Sequence, residues 1–249
     1  MPLLAVIRDA FLLPWKHRTQ VLRTAGLPLL VLIGFMLARE LPIWGSDSML
    51  FYLLALVECV IASWLAITLH RLVLLDESRA LVRLSREDLL RIARYALVLI
   101  GLWVAYLLVM TVVMNGIGLA AGLLYVPQGE QRNETAWQWV FKFAGIAALL
   151  PVARLGLLLP AIAVDRPKSP AAIWRGTRGN TLRLAVVFGL LPWAIVWCMQ
   201  YLLREDASRL EYALVLVAHC LLTVCEVVAI SLSYGSLMEP SPPPTDPPG

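Results

Sequence analysis

Charge is what this sequence has least of. Only 15% of its 249 residues are Asp, Glu, Lys or Arg, against 60% hydrophobic residues, and the mean hydropathy is +0.76. A soluble domain needs roughly 25% charged residues to cover its surface, so a water-solvated globule is ruled out. Cysteine is also scarce, and no CxxC pair occurs, which argues against disulfide, zinc and redox readings. Cys59, Cys198, Cys220 and Cys225 all lie in apolar runs and read as small buried residues. Neither GxSxG, HExxH, GxGxxG nor GxxxxGK[ST] is present, so no catalytic, cofactor or metal residues can be nominated. The net charge of +4 is too unevenly placed to suggest nucleic acid. A cleavable leader is not expected either: Met1 to Asp9 lacks a basic n-region, and Arg8-Asp9 interrupts its apolar stretch at once. The first true span would act as an uncleaved anchor.

What is present is a series of apolar runs of about the twenty residues that cross a bilayer as helix. Six can be drawn, over 21–38, 49–73, 92–114, 137–163, 184–203 and 210–237, with the third open to extension through Gly116–Leu124. The expectation is an all-α, polytopic transmembrane bundle, a single domain over 1–238. Local start signals support several of the helices. Ser85-Arg86-Glu87-Asp88, Thr135-Ala136-Trp137-Gln138 and Ser208-Arg209-Leu210-Glu211 read as capping boxes. Ser169-Pro170 reads as an N-cap with Pro at the first helical position. Leu3 to Leu13, within a 1–17 segment too short to span, suits an interfacial helix. Residues 239–249 are Pro-rich without an apolar run and read as a disordered tail.

Orientation follows from the basic residues. On six spans, fifteen of the 21 Lys and Arg residues fall on the side of the termini, five on the other, and Arg154 inside a span. That bias places both termini in the cytoplasm. Trp44, Trp137, Trp139 and Tyr201 gather near the opposite boundary, as interfacial aromatics do. A Leu-Arg-x-Ala tetrapeptide opens each odd span, at Leu22, Leu90 and Leu182. It suggests three hairpins, each introduced by an amphipathic stretch on the cytoplasmic face.

Ionisable residues within spans are the candidates for function, because each costs a few kcal/mol unless paired or hydrated. Glu58, Arg154 and Glu226 fall one to a hairpin, all in the second helix, and each about 16–20 Å in from the cytoplasmic end at ~1.5 Å per residue. One arginine between two carboxylates would form a packing latch or, alternatively, part of a proton or substrate pathway. His219, two turns from Glu226 on α-helical spacing, is a relay candidate or a packing histidine. Pro151 and Pro160 bracket Arg154, so the fourth helix should be kinked or unwound there. In the loop that follows, Trp174, Arg175, Arg178 and Arg183 suit anionic lipid headgroups, at about 1 kcal/mol per basic residue.

Three segments carry a family resemblance: His70-Arg71-Leu72-Val73-Leu74-Leu75-Asp76-Glu77, the stretch from Arg154 through Leu157-Leu158-Leu159-Pro160-Ala161 to Asp165-Arg166-Pro167, and Ala171 to Asn180. Together they resemble a group of uncharacterised six-span bacterial inner-membrane proteins. They are more distantly similar to the membrane domain fused to some glycerophosphodiester phosphodiesterases. The resemblance implies an inner-membrane bundle and no activity, since in the fused enzymes hydrolysis belongs to a soluble domain this chain lacks. The expected function is a non-enzymatic scaffold, accessory subunit or regulator acting through membrane lipids or a protein partner. The alternative is a small transporter using Glu58, Arg154 and Glu226.

Overall fold

A computed structural model describes residues 2–39, 48–77, 84–120, 134–192, 194, 195, 198 and 209–238. No strand occurs among them. The helices are α1 (Leu3–Lys16), α2 (Arg18–Arg39), α3 (Ser48–Leu75), α4 (Arg86–Ala120), α5 (Glu134–Leu155), α6 (Leu158–Ala163), α7 (Pro170–Gly176), α8 (Thr181–Ala185, continued by a π-helical turn over Val186–Leu190) and α9 (Arg209–Met238). Among the described residues, five stretches are long and apolar enough to cross a membrane: Arg18–Ala38, Tyr52–Leu75, Arg86–Ala120, Trp137–Ala163 and Leu210–Met238. They answer to five of the six apolar runs. The run 184–203 is described as helix through 192 and then only at 194, 195 and 198, while the tail 239–249 and Ser208 lie outside the described residues.

α3 is the axis of the bundle, packed by α2, α4, α6 and α9. From Leu65 to His70 every residue is buried, so this stretch meets protein on all sides. Its neighbours show the stripes that such packing requires. On α2, Val21, Ala25, Leu29, Leu32 and Met36 recur at spacings of three and four and bury one face. Met36 and the buried Cys220 of α9 meet there, sulfur to sulfur, at 3.4 Å. α1 packs lengthwise on α9, with Val6 and Ala10 buried against Val187, Val228 and Ala229.

Two predicted start signals form as written. Ser85 Oγ accepts from the Asp88 N–H at 3.2 Å, while Asp88 accepts from the Ser85 N–H at 3.0 Å and from its hydroxyl at 2.8 Å. Ser169 Oγ accepts from the Ala172 N–H at 3.2 Å and Pro170 opens α7. The third differs. α5 begins at Glu134, which puts Thr135 inside the helix rather than at its cap.

The Trp137–Ala163 span is interrupted, and the interruption has a local cause. α5 ends at Leu155, Gly156 and Leu157 form a turn, and α6 resumes at Leu158. Pro160 has no N–H to bond the Gly156 carbonyl, and its ring would crowd that carbonyl in a continuous helix. The Leu159 N–H takes the Gly156 carbonyl instead, at 3.1 Å. Pro151, by contrast, is carried inside α5 without ending it. The break falls just beyond Arg154 and re-aims the chain toward Asp165.

Candidate functional site

A cluster of polar side chains forms at one end of the bundle, where α3, α6 and α9 end and α4 begins. Deepest is His70, fully buried on α3. Its Nδ1 lies 2.7 Å from Ser231 Oγ on α9 and its Nε2 3.0 Å from the Tyr95 hydroxyl on α4. The Ser231 hydroxyl donates to the Val227 carbonyl at 2.9 Å. With its one proton on that carbonyl, the arrangement that satisfies all three groups has Nδ1 donating to Ser231 and Nε2 accepting from Tyr95. One imidazole thereby ties α3, α4 and α9 together.

One residue further along, Arg71 starts a charged network. It donates to Glu77 at 2.7 Å, to Asp165 at 2.9 Å and to the Ala163 carbonyl at 3.1 Å. Arg91 grips the same Asp165 with two nitrogens, at 2.9 and 2.8 Å, and holds Asp88 at 2.7 Å. The arginine side chains are only 18% and 13% exposed, whereas Asp165 is 56% exposed. Asp165 takes a left-handed backbone, φ 56°, which turns its carboxylate back beneath both arginines. Aspartate tolerates that conformation better than most residues. Burial pushes this carboxyl up, but hydrogen bonds and charge from Arg91 and Arg71 outweigh it and hold Asp165 below the usual carboxylate range. Lys168 closes the same end of α9 by donating to the Met238 carbonyl at 3.0 Å, one of the orphan acceptors of a helix terminus.

Arg154 is placed differently from the sequence expectation. It is held by α7 and the turn after it: Nε donates to Thr177 Oγ1 at 2.9 Å, a second nitrogen donates to the Trp174 carbonyl, and the guanidinium stacks on the Trp174 ring at 3.6 Å. Thr177 is itself fully buried and donates to the Ile173 carbonyl at 2.9 Å. No ion pair joins Arg154 to Glu226 among the described residues. The physical reason is reach: a guanidinium on a long stem can run along its helix to the polar boundary, and α7 presents a carbonyl, a hydroxyl and an aromatic face there. Glu226 instead lines a small cavity of about 20 Å³ with Ile7, Ala10, Phe11 and Leu222, and this wall is almost wholly apolar. Glu58 is half-buried on α3, about 25 Å from Leu75 at ~1.5 Å per residue. His219 is half-buried on α9, where its carbonyl accepts from Thr223 at 3.1 Å.

Of the four residues expected to meet lipid headgroups, Arg175, Arg178 and Arg183 are exposed, and Arg183 reaches Asn180 at 3.4 Å. Trp174 is partly exposed, but its ring and carbonyl serve Arg154. The sequence had Arg71, Arg91 and Asp165 only as topology signals or motif letters. Their partners are 74 and 94 positions apart along the chain, and no local pattern announces such a pairing. His70 and Ser231 are separated by 161 positions.

Searches for related proteins gave no match to a family model, a curated protein or a solved structure.

Proposed function

We propose that this chain is a non-enzymatic protein of a bacterial inner membrane, with both termini cytoplasmic, that scaffolds or accompanies another membrane component. Its contacts would be with anionic lipid or a protein partner at the end that carries α7. The supporting observation is how the arginines are used. Arg71, Arg91 and Arg154 are committed to internal partners that fix the helix ends. Arg175 and Arg178 stay exposed beside the half-open Trp174. Rigid internal pinning beneath an exposed basic surface is what a docking platform needs. The transporter alternative needs a polar path around Glu226, and the cavity there has room for about one water molecule.

Two experiments test this reading. Reporter fusions after Asp76 and Asp165 should read cytoplasmic, and fusions near Gly129 and Asp206 periplasmic. Opposite readings at two of these sites would reverse the orientation. Separately, chemical crosslinking before extraction in mild detergent should recover a stoichiometric partner or bound phosphatidylglycerol and cardiolipin. Replacing Arg175, Arg178 and Arg183 together with Gln should lower that recovery by one to two orders of magnitude, from about 1 kcal/mol per basic residue. Unchanged recovery would reduce the three arginines to topology signals.

A further inference from the structure

A second polar site shares Arg91 and Asp165 with the charged network and includes no residue of α7. A cavity of about 290 Å³ is lined by Glu87, Leu90, Arg91, Arg94, Ile162 and Asp165. Its charges are of both signs and in balance: Glu87 and Asp165 against Arg91 and Arg94. Arg91 and Asp165 are bound to each other. Glu87 and Arg94 are exposed, and among the described residues the side chain of neither makes a hydrogen bond or ion pair. At positions i and i+7 they share a face of α4, with Arg91 between them. The cavity thus offers one unengaged anion and one unengaged cation two turns apart along α4, with apolar Leu90 and Ile162 in its wall.

Its depth is set by α4. The charged residues of this helix all fall between Arg86 and Arg94, and Tyr95 to Ala120 contains none. That neutral stretch, about 39 Å at ~1.5 Å per residue, covers a hydrocarbon core of about 30 Å and leaves the cavity among the headgroups. From its mouth an exposed apolar stripe runs along α4 through Leu90, Leu97, Val104 and Leu108, at the spacing of one helix face.

We propose that this cavity binds the headgroup of a zwitterionic phospholipid, its ammonium against Glu87 and its phosphate against Arg94, with an acyl chain along the Leu90–Leu108 stripe. A purely anionic headgroup would leave Glu87 opposed, and a soluble zwitterion would make no use of the stripe. This site is separate from Arg175, Arg178 and Arg183 and does not depend on a protein partner.

The test is native mass spectrometry of the full chain in mixed micelles holding equal phosphatidylethanolamine and phosphatidylglycerol. Wild type should retain phosphatidylethanolamine preferentially. Glu87→Gln should abolish that preference, and Arg94→Gln should weaken phosphatidylethanolamine retention about fivefold, the worth of one basic residue at a membrane surface. The variant lacking Arg175, Arg178 and Arg183 should keep the preference, so that failure at one site is distinguishable from failure at the other. Both altered side chains are exposed, and an unchanged thermal midpoint confirms that the fold is intact. The proposal is overturned by equal retention of the two lipids in wild type or by a preference that survives Glu87→Gln. Displacement of the lipid by soluble phosphoethanolamine would likewise overturn it, assigning the cavity to a free zwitterion.

Discussion

Asp165→Ala should lower the unfolding free energy in mild detergent by about 2–3 kcal/mol, a larger effect than a residue with a half-exposed side chain normally has. The cost arises in what is left behind. Arg71 and Arg91 are both mostly buried, and both aim nitrogens at this one carboxylate. Removing one member of a buried charge network typically costs about 3–5 kcal/mol. The exposure of Asp165 lets water recover part of that, hence the lower figure. Adding Arg91→Met should restore only part of the loss, because the second variant removes a stranded charge but also the bond from Arg91 to Asp88. Acid should act at the same place. The folded-state carboxyl titrates below its ordinary value, so its stabilisation is fully present above the unfolded value of about 3.9 and disappears as pH falls through the folded one. The melting midpoint of wild type should therefore hold from pH 8 to about 5 and drop below about 4, and Asp165→Asn should flatten that drop.

His70→Ala should be at least as damaging, at about 3–4 kcal/mol. It opens a cavity in the most enclosed stretch of α3, for which large-to-small core changes cost about 2–5 kcal/mol. It also removes the acceptor of the Tyr95 hydroxyl and the donor to Ser231. The polar part can be separated from the packing part. His70→Phe keeps most of the volume but strands the Tyr95 hydroxyl, at about 1–3 kcal/mol for a buried group without a partner. Tyr95→Phe in the same chain then removes the stranded group, and the double variant should be nearer wild type than His70→Phe alone. Additive losses in the two single variants would show that the hydrogen bonds contribute little and that packing alone holds α3, α4 and α9.

How far such features could be read from the residues depends on how local their causes are. The helices were legible because an apolar run of spanning length has few other uses, and the break beyond Arg154 because Pro160 acts on the carbonyl four residues before it. The caps at Ser85 and Ser169 form within three residues and were equally visible. Arg154 was legible as a buried charge in need of partners, but not as to which ones. Depth counted along a helix locates the Cα, whereas the guanidinium can travel several ångströms from it to reach Thr177 and Trp174. The Asp165 network was hidden for a related reason: an arginine at a helix end looks the same in sequence whether it orients the chain in the membrane or clamps another segment. His70 carried no local signal at all, because its partners sit on other helices.

The central claim is that the intramembrane arginine is a clamp on α7 rather than the centre of a polar pathway. A pair of double-mutant cycles tests it most directly, measured by reversible unfolding in detergent. The first combines Arg154→Leu with Thr177→Val, and the second combines Arg154→Leu with Glu226→Gln. Residues in one hydrogen-bonded network show coupling of about 0.5–3 kcal/mol, while distant ones add independently. Coupling of about 1–2 kcal/mol is expected between Arg154 and Thr177, and none between Arg154 and Glu226. Strong coupling to Glu226 with none to Thr177 would contradict it and return the arginine to the middle of the bundle.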